Sequence, residues 1–167
     1  MVNRHTSATA TAHLSGVRGR AVVNAKQHHL VVDSPLNLGG PNEAINPVDL
    51  LLSSLASHVA FVCERAALEL GIPLDGLTVK VVGRFDPHGA TEEAAQSHLQ
   101  SVEAQIFLRG LDPAQVPLLL QAVEQRCLVY STLARAVPVQ LTPVLDGDAE
   151  RSRAEAPRTD GRTNSSA

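Results

Sequence analysis

The chain has 167 residues, 44% of them hydrophobic, and its 14 basic and 17 acidic residues give a formal net charge of −3. This length is enough for one domain with a sizeable core. The basic residues form no stripe, and one tyrosine, three phenylalanines and no tryptophan offer no stacking platform. We therefore exclude nucleic acid as a partner.

The N-terminal residues contain no apolar run of the ~7–15 residues that a secretory signal has. Glu64 and Arg65 interrupt the longest apolar segment, so we expect a cytoplasmic protein without a membrane span. Two cysteines, Cys63 and Cys127, make no disulfide framework. Each is therefore either a buried small hydrophobic residue or a reactive thiol.

The first part of the chain predicts three antiparallel strands followed by a long helix. The strand segments are TATAHL, RAVVNA and HHLVVDS, which alternate or are rich in β-branched residues. A loop, PLNLGGPNEAINP, leads to Asn46, which we expect to cap a helix with Pro47 at its first position. The helix ends near Leu70, because Gly71 and Pro73 follow.

The second part predicts two strands, two helices and a last strand. The strands lie in LTVKVVGRFD and QSHLQSVEAQIFLRG, the helices in PAQVPLLLQAVEQRC and CLVYSTLARAV, and the last strand in VPVQLTPVL. Residues 146–167 are polar and charged, with no apolar residue beyond alanine. We therefore predict one domain over residues 1–145 and a disordered tail over 146–167.

The long helix is apolar on nearly every side, which predicts burial on every side. One small sheet can cover only one of its faces, so we predict that a second subunit covers the rest. Ser54, His58 and Arg65 form a thin polar stripe on this helix. His58 is there either as a core histidine with one satisfied hydrogen bond or as a functional group.

Cys63 follows His58 by five positions, or ~140° around a helix, so we interpret Cys63 as core packing. Cys127 lies between two helical segments and directly after an arginine. A helix N-terminus and a cation favour a thiolate, although a buried structural cysteine remains the alternative. Arg18 lies in a turn between glycines, where an arginine is usually just solvated. Arg20 gives even less indication of a functional role.

Three segments in the right order resemble the OsmC/Ohr family, the osmotically induced and organic hydroperoxide resistance proteins. TATAHLSGVRGRAVV resembles its N-terminal hairpin, GGPNEAINPVDLLLSSLASHVAFV its glycine loop and central helix, and RCLVYSTLARAVPVQL the segment of its second cysteine. The resemblance spans residues from about 6 to 145. It implies an α+β fold with antiparallel sheets around long buried central helices, in an intertwined homodimer with active sites at the subunit interface.

Peroxidase members of that family use a reactive cysteine, a resolving cysteine, an arginine and a glutamate. The resemblance aligns His58 with the reactive cysteine, Val48 with the glutamate, Cys127 with the resolving cysteine and Arg18 with the arginine. It implies that Cys127, His58 and Arg18 form the catalytic site, with the imidazole favouring a thiolate below the reference pKa of ~8.5. We expect no cofactor and no metal, because a metal needs a further ligand and Arg18 would repel a cation.

We therefore predict a stress-related OsmC-like protein with altered or weakened peroxidase chemistry, centred on Cys127 and acting on a small organic hydroperoxide. The standard two-cysteine mechanism is not expected, because imidazole cannot accept the peroxide oxygen and then form a disulfide. Three alternatives remain: a Cys–His hydrolase, a protein that binds a small apolar molecule in an interface pocket lined by Leu51, Leu55 and Phe61, and an inactive homologue. The hydrolase lacks a third residue to orient His58.

Overall fold

The computed structural model describes residues 6–90 and 96–145. The chain divides into two compact units, with the boundary between Ser54 and Leu55, and each is described by itself. The tail predicted for residues 146–167 lies outside the described residues. The disordered tail and the domain boundary at residue 145 stay predictions.

The N-terminal unit contains a three-stranded antiparallel sheet in the order β1-β2-β3, as the sequence predicts. The strands are β1 (Ala10–Leu14), β2 (Arg20–Ala25) and β3 (His28–Asp33). Lys26 has a positive φ of 55° in the two-residue turn between β2 and β3. This turn fixes the register in which Arg20 lies opposite Asp33.

Helix α1 (Pro47–Leu70) has the predicted bounds. Its first turn is capped by Asn46, whose Oδ1 accepts hydrogen bonds from the N–H groups of Val48 at 2.9 Å and Asp49 at 3.0 Å. These bonds satisfy donors that a helix start otherwise leaves without partners. After Leu70 the chain leaves the helix through Gly71, whose φ is +64°.

Only one side of α1 is buried. Its buried residues are Leu55, Val59, Cys63, Ala66 and Ala67. In contrast, Phe61 is 64% exposed and Leu68 is 78% exposed. Burial on every side is therefore not found within one chain, and the covering subunit remains a prediction.

Helix α1 is the one helix of the described residues with the length and mean hydropathy, 1.2, of a membrane span. The core helix of a soluble protein meets the same criteria of length and composition. Because residues between Leu55 and Ala67 pack into the core, we interpret α1 as a packing helix.

The C-terminal unit contains residues 55–70 of α1, a second three-stranded sheet in the order β4-β5-β6, and two further α-helices. Its elements are β4 (Gly76–Phe85), β5 (Leu99–Arg109), α2 (Val116–Arg126), α3 (Leu128–Leu133) and β6 (Val139–Leu145). Short 3₁₀ turns occur at Pro87–Ala90 and Pro113–Gln115 in this unit, and at Leu36–Leu38 in the N-terminal unit. Along β5, Val102, Ala104, Ile106 and Leu108 are buried and alternate with half-buried residues, so one face of this sheet lies on the core.

The second sheet corrects the expectation of purely antiparallel sheets. Strand β4 pairs with β5 antiparallel, but β6 pairs with β5 parallel. A parallel neighbour requires a long crossover connection, and α2 and α3 supply it between β5 and β6. The fold is still α+β, with helices and two small sheets.

Candidate functional site

The structure brings His58 and Cys127 together. The Sγ atom of Cys127 lies 3.3 Å from Nδ1 of His58. Cys127 is fully buried, whereas His58, in the middle of α1, is half-buried. Both side chains belong to one chain, so the pair does not need a second subunit to form.

Cys127 interrupts the helical path between α2 and α3. Its backbone is extended, with φ −80° and ψ 102°, and its N–H donates to the carbonyl oxygen of Val123 at 2.9 Å. Its Sγ accepts a hydrogen bond from the N–H of Tyr130 at 3.4 Å. The thiol therefore caps the short helix α3 and is held in a fixed direction by the backbone.

The same backbone indicates which nitrogen of His58 carries the proton. The N–H of Val129 donates to Nδ1 of His58 at 3.4 Å. A ring nitrogen that accepts a hydrogen bond carries no proton, so neutral His58 has its proton on Nε2. In this state the S–H of Cys127 donates to Nδ1, and His58 is placed to accept the thiol proton.

Burial dominates the acidity of Cys127. It raises the pKa of the thiol, and the hydrogen bonds from the N–H groups of Tyr130 and Val129 lower it by less. This differs from the expectation that pairing with His58 favours a thiolate. The physical reason is that the side chain is fully buried, which disfavours the charged form.

The arginine that precedes Cys127 is engaged elsewhere. Arg126, the last residue of α2, forms an ion pair with the carboxylate of Glu69 on α1. Glu69 also accepts a hydrogen bond from Nε of Arg65 at 3.0 Å, and these two arginines lower its pKa. The charge of Arg126 is thus partly compensated by Glu69.

Cys63 is a packing residue in the described structure. It is fully buried, and burial raises its pKa to about 12, with a smaller contribution from the charge of Cys127. Such a thiol is protonated at neutral pH and inert as a nucleophile.

Arg18 belongs to the N-terminal unit, where its guanidinium lies against Gly39. A Cβ atom built on Gly39 would lie 3.0 Å from Cζ and from Nη2 of Arg18. The catalytic role of Arg18, like the roles of Cys127 and His58, stays a prediction.

Sequence reasoning missed a buried network around Asp33. Both carboxylate oxygens of Asp33 accept hydrogen bonds from Arg20, from Nε and Nη2, each at 2.8 Å. Nη2 of Arg20 also lies 2.8 Å from the carboxylate of Glu43. The predicted hairpin could have indicated the ion pair, because its register places Arg20 opposite Asp33.

Within residues 6–90 and 96–145, no group of three or more His, Cys, Asp or Glu side chains could hold a metal ion. The Cys127–His58 pair offers only two ligands, fewer than a stable zinc site needs.

Comparison with known proteins assigns the family. The sequence profile of a family described as OsmC-like protein matches residues 40–142. The chain belongs to the OsmC-like family. None of the curated proteins matches the sequence significantly.

Solved structures of OsmC-like proteins share the fold of this chain. An OsmC-like protein from Mycoplasma pneumoniae superposes with a TM-score of 0.71 at 17% identity, covering 84% of this chain and 97% of that one. An organic hydroperoxide resistance protein OsmC from Legionella pneumophila gives a TM-score of 0.65 at 20% identity, with 84% and 98% covered. The two TM-scores show that this chain has the OsmC-like fold.

A third structure holds a small molecule. It is a protein from Vibrio cholerae assigned to organic hydroperoxide resistance, with captopril bound in one of its active sites. It has a TM-score of 0.62 at 25% identity and covers 84% of this chain and 94% of its own.

Proposed function

We propose that this OsmC-like protein reduces small organic hydroperoxides slowly, with Cys127 as the reacting thiol and His58 as its proton acceptor. The observation that carries the proposal is the 3.3 Å contact between Sγ of Cys127 and Nδ1 of His58. A thiol with a base within hydrogen-bond reach is the arrangement from which a thiolate nucleophile is generated.

In the proposed reaction, the sulfur attacks the terminal oxygen of a hydroperoxide, ROOH. The S–O bond forms, the O–O bond breaks and the alkoxide leaves. The thiol proton passes to Nδ1 of His58 and from there to the alkoxide, which leaves as the alcohol ROH. Cys127 is oxidised to a sulfenic acid by two electrons, and the peroxide is reduced by the same two electrons.

A small external thiol completes the cycle. It attacks the Cys127 sulfur, so that an S–S bond forms and the hydroxyl group leaves as water. A second thiol then attacks the mixed disulfide and releases Cys127 as the thiol. An external reductant is needed because Cys63 is buried and its pKa is raised to about 12.

The backbone supports the transfer of the proton. When Nδ1 of His58 takes up a proton, it can no longer accept the hydrogen bond from the N–H of Val129. That N–H also lowers the pKa of Cys127 by hydrogen bonding to the sulfur, so it can stabilise the thiolate as the proton leaves. By family resemblance we also propose a role for Arg18, whose guanidinium would supply a fixed positive charge in the reaction.

The same features make the proposed activity weak. Reactive cysteines are accessible and acidic, whereas Cys127 is fully buried and its pKa is raised. A peroxide reaches the sulfur only when the surrounding side chains open. Opening of this kind limits the fraction of molecules that can react.

A second candidate function is the binding of a small apolar molecule at the same place. Phe61 lies one turn from His58 on α1 and is 64% exposed, and Leu128, next to Cys127, is 73% exposed. Both side chains are available for contact with an apolar ligand near His58 and Cys127. The Vibrio cholerae protein, which is similar in fold, holds captopril in one of its active sites, and this supports a ligand-binding function as the alternative.

We also propose that the chain forms a homodimer, because the exposed apolar side of α1 needs a cover that one chain lacks. The organic hydroperoxide resistance proteins among its structural neighbours favour a role in the response to oxidative stress. We expect it to act in the cytoplasm.

The test is consumption of cumene hydroperoxide with dithiothreitol as the reductant. We expect Cys127→Ser to abolish the protein-dependent rate and Cys63→Ser, the matched control, to retain it. No protein-dependent consumption, or equal consumption by wild type and Cys127→Ser, would rule out the peroxidase and favour the binding function.

A further inference from the structure

Asp33, at the end of β3, is the one charged side chain that is buried within the described part of the chain, with 1% exposed. Besides the two hydrogen bonds from Arg20, its carboxylate accepts the N–H groups of Glu43 at 2.9 Å and Ala44 at 3.0 Å. Its own N–H donates to the carbonyl oxygen of Ile45 at 3.1 Å. One residue therefore joins the start of β2 to the loop that precedes α1.

This loop touches the turn that carries Arg18. The N–H of Ser34 donates to the carbonyl oxygen of Gly19 at 2.7 Å. A Cβ atom on Gly19 would lie 2.6 Å from Cα of Gly40, so the two backbones are in close contact. The guanidinium of Arg18 lies against Gly39 in the same loop.

We propose that Asp33 is a positioning residue for Arg18. Asp33 holds the loop against the start of β2, Gly40 of that loop lies against Gly19, and Gly39 lies against the guanidinium of Arg18. Asp33 does not touch Arg18 and acts through Gly39 and Gly40. The importance of this for catalysis rests on the proposed function, in which Arg18 supplies a positive charge.

The carboxylate of Asp33 accepts more hydrogen bonds than the hairpin needs. A single ion pair with Arg20 would hold β2 and β3 together, since these strands already share a hydrogen-bonded ladder. The two further N–H donors come from the loop. Hydrogen bonds to a charged acceptor are the strong ones, and removing the charge leaves these part-buried donors with a weaker partner.

The first experiment measures the mobility of the Arg18 turn directly, by trypsin cleavage of the folded protein. Asp33→Asn keeps the shape of the side chain and removes its charge. We expect cleavage after Arg18 to become about tenfold faster, while cleavage after Lys80 in the C-terminal unit keeps its rate. The exposed Asp75, changed to Asn, is the matched control and should leave both rates unchanged.

Two results would overturn the positioning role. One is an unchanged rate of cleavage after Arg18 in Asp33→Asn. The other is an equal acceleration after Arg18 and after Lys80, because this would mean that the substitution destabilises the whole chain.

The second experiment asks whether Asp33 acts through Arg18 in the reaction. The rate of cumene hydroperoxide consumption is compared in wild type, Asp33→Asn, Arg18→Gln and the double variant. We expect Asp33→Asn to lower the rate severalfold when Arg18 is present and to have no further effect in Arg18→Gln. Equal losses in both backgrounds would contradict the proposal.

The two experiments separate the two proposals. If wild type consumes no hydroperoxide, the proposed function fails, and the cleavage after Arg18 still decides whether Asp33 positions this residue.

Discussion

The Cys127 sulfur has two polar contacts, with Nδ1 of His58 and with the N–H of Tyr130. Burial nevertheless raises the pKa of this thiol. The sequence could predict that Cys127 and His58 meet, because the family resemblance aligns both with positions of one site. It could not predict the direction of the Cys127 pKa shift. That direction depends on how completely the sulfur is enclosed, and enclosure follows from the packing of α1, α2 and α3 together.

The network of Asp33 was hidden for a different reason. Arg20 and Asp33 are ordinary charged residues in strand segments, and their sequence context carries no motif. The ion pair follows from the hairpin register, but the two backbone donors from Glu43 and Ala44 follow from the path of an irregular loop. Loop paths of this kind are not encoded in hydrophobic periodicity.

At the residue scale, Cys63 gives a prediction for alkaline stability. Its pKa is raised to about 12 in the folded chain, above its unfolded value of ~8.5. The neutral buried thiol therefore contributes fully to stability below pH ~8.5, and this contribution is lost as the pH rises towards the folded pKa. The slope is at most ~1.4 kcal/mol for each pH unit.

Urea unfolding between about pH 8 and 11 measures this slope. Cys63→Ala, although less stable at neutral pH, should lose this part of the decline. An identical slope in wild type and Cys63→Ala would contradict the assignment of Cys63 as a buried thiol.

At the element scale, local signals predicted α1 and most strands, and long-range pairing was the part they missed. Asn46 and Pro47 mark the start of α1, and Gly71 marks its end, so its bounds could be read from the chain. The parallel pairing of β6 with β5 depends on where the crossover through α2 and α3 returns the chain. The short α3, six residues long, begins after Cys127 because an extended backbone there separates it from α2.

The loop before α1 gives a prediction at this scale. A Cβ atom at Gly40 would lie 2.0 Å from the carbonyl oxygen of Ser34, and the backbone cannot yield without moving the loop. We expect Gly40→Ala to lower the free energy of unfolding by about 3 kcal/mol. At Gly16, φ is +88° and a Cβ would meet no atom within 4 Å, so Gly16→Ala should cost only about 1 kcal/mol. Thermal or urea unfolding compares the two, and an equal cost would contradict the close approach at Gly40.

For the whole molecule, the exposed apolar residues are the feature that one chain does not explain. Large hydrophobic side chains are exposed on both units, among them Leu14, Leu36, Phe61, Leu68 and Leu128. We propose that a second subunit covers part of this apolar surface, since apolar surface that is contiguous and exposed marks interaction sites. Family membership was predictable from the sequence, because three segments typical of the family lie in order along the chain. The surface that a second subunit covers was not predictable, because it depends on how two chains pack.

A homodimer predicts that stability depends on protein concentration. We expect the melting temperature to rise with concentration and sedimentation to give twice the mass of one chain at micromolar concentration. Phe61→Glu should dissociate the dimer, and the exposed Glu64 on the same helix, changed to Gln, is the matched control. A folded monomer at all micromolar concentrations would contradict the dimer.

The central claim, that His58 accepts the proton of Cys127 during reaction with a peroxide, is tested by the pH dependence of Cys127 oxidation. The rate of loss of the Cys127 thiol with cumene hydroperoxide is followed by mass spectrometry in a Cys63→Ala background. His58→Asn supplies an amide oxygen that can accept the thiol hydrogen bond but cannot take the proton. We predict that His58→Asn lowers the rate about a hundredfold at pH ~7, and that the deficit shrinks above the thiol pKa, where no base is needed. Equal rates with and without the His58→Asn substitution across the whole pH range would contradict the claim.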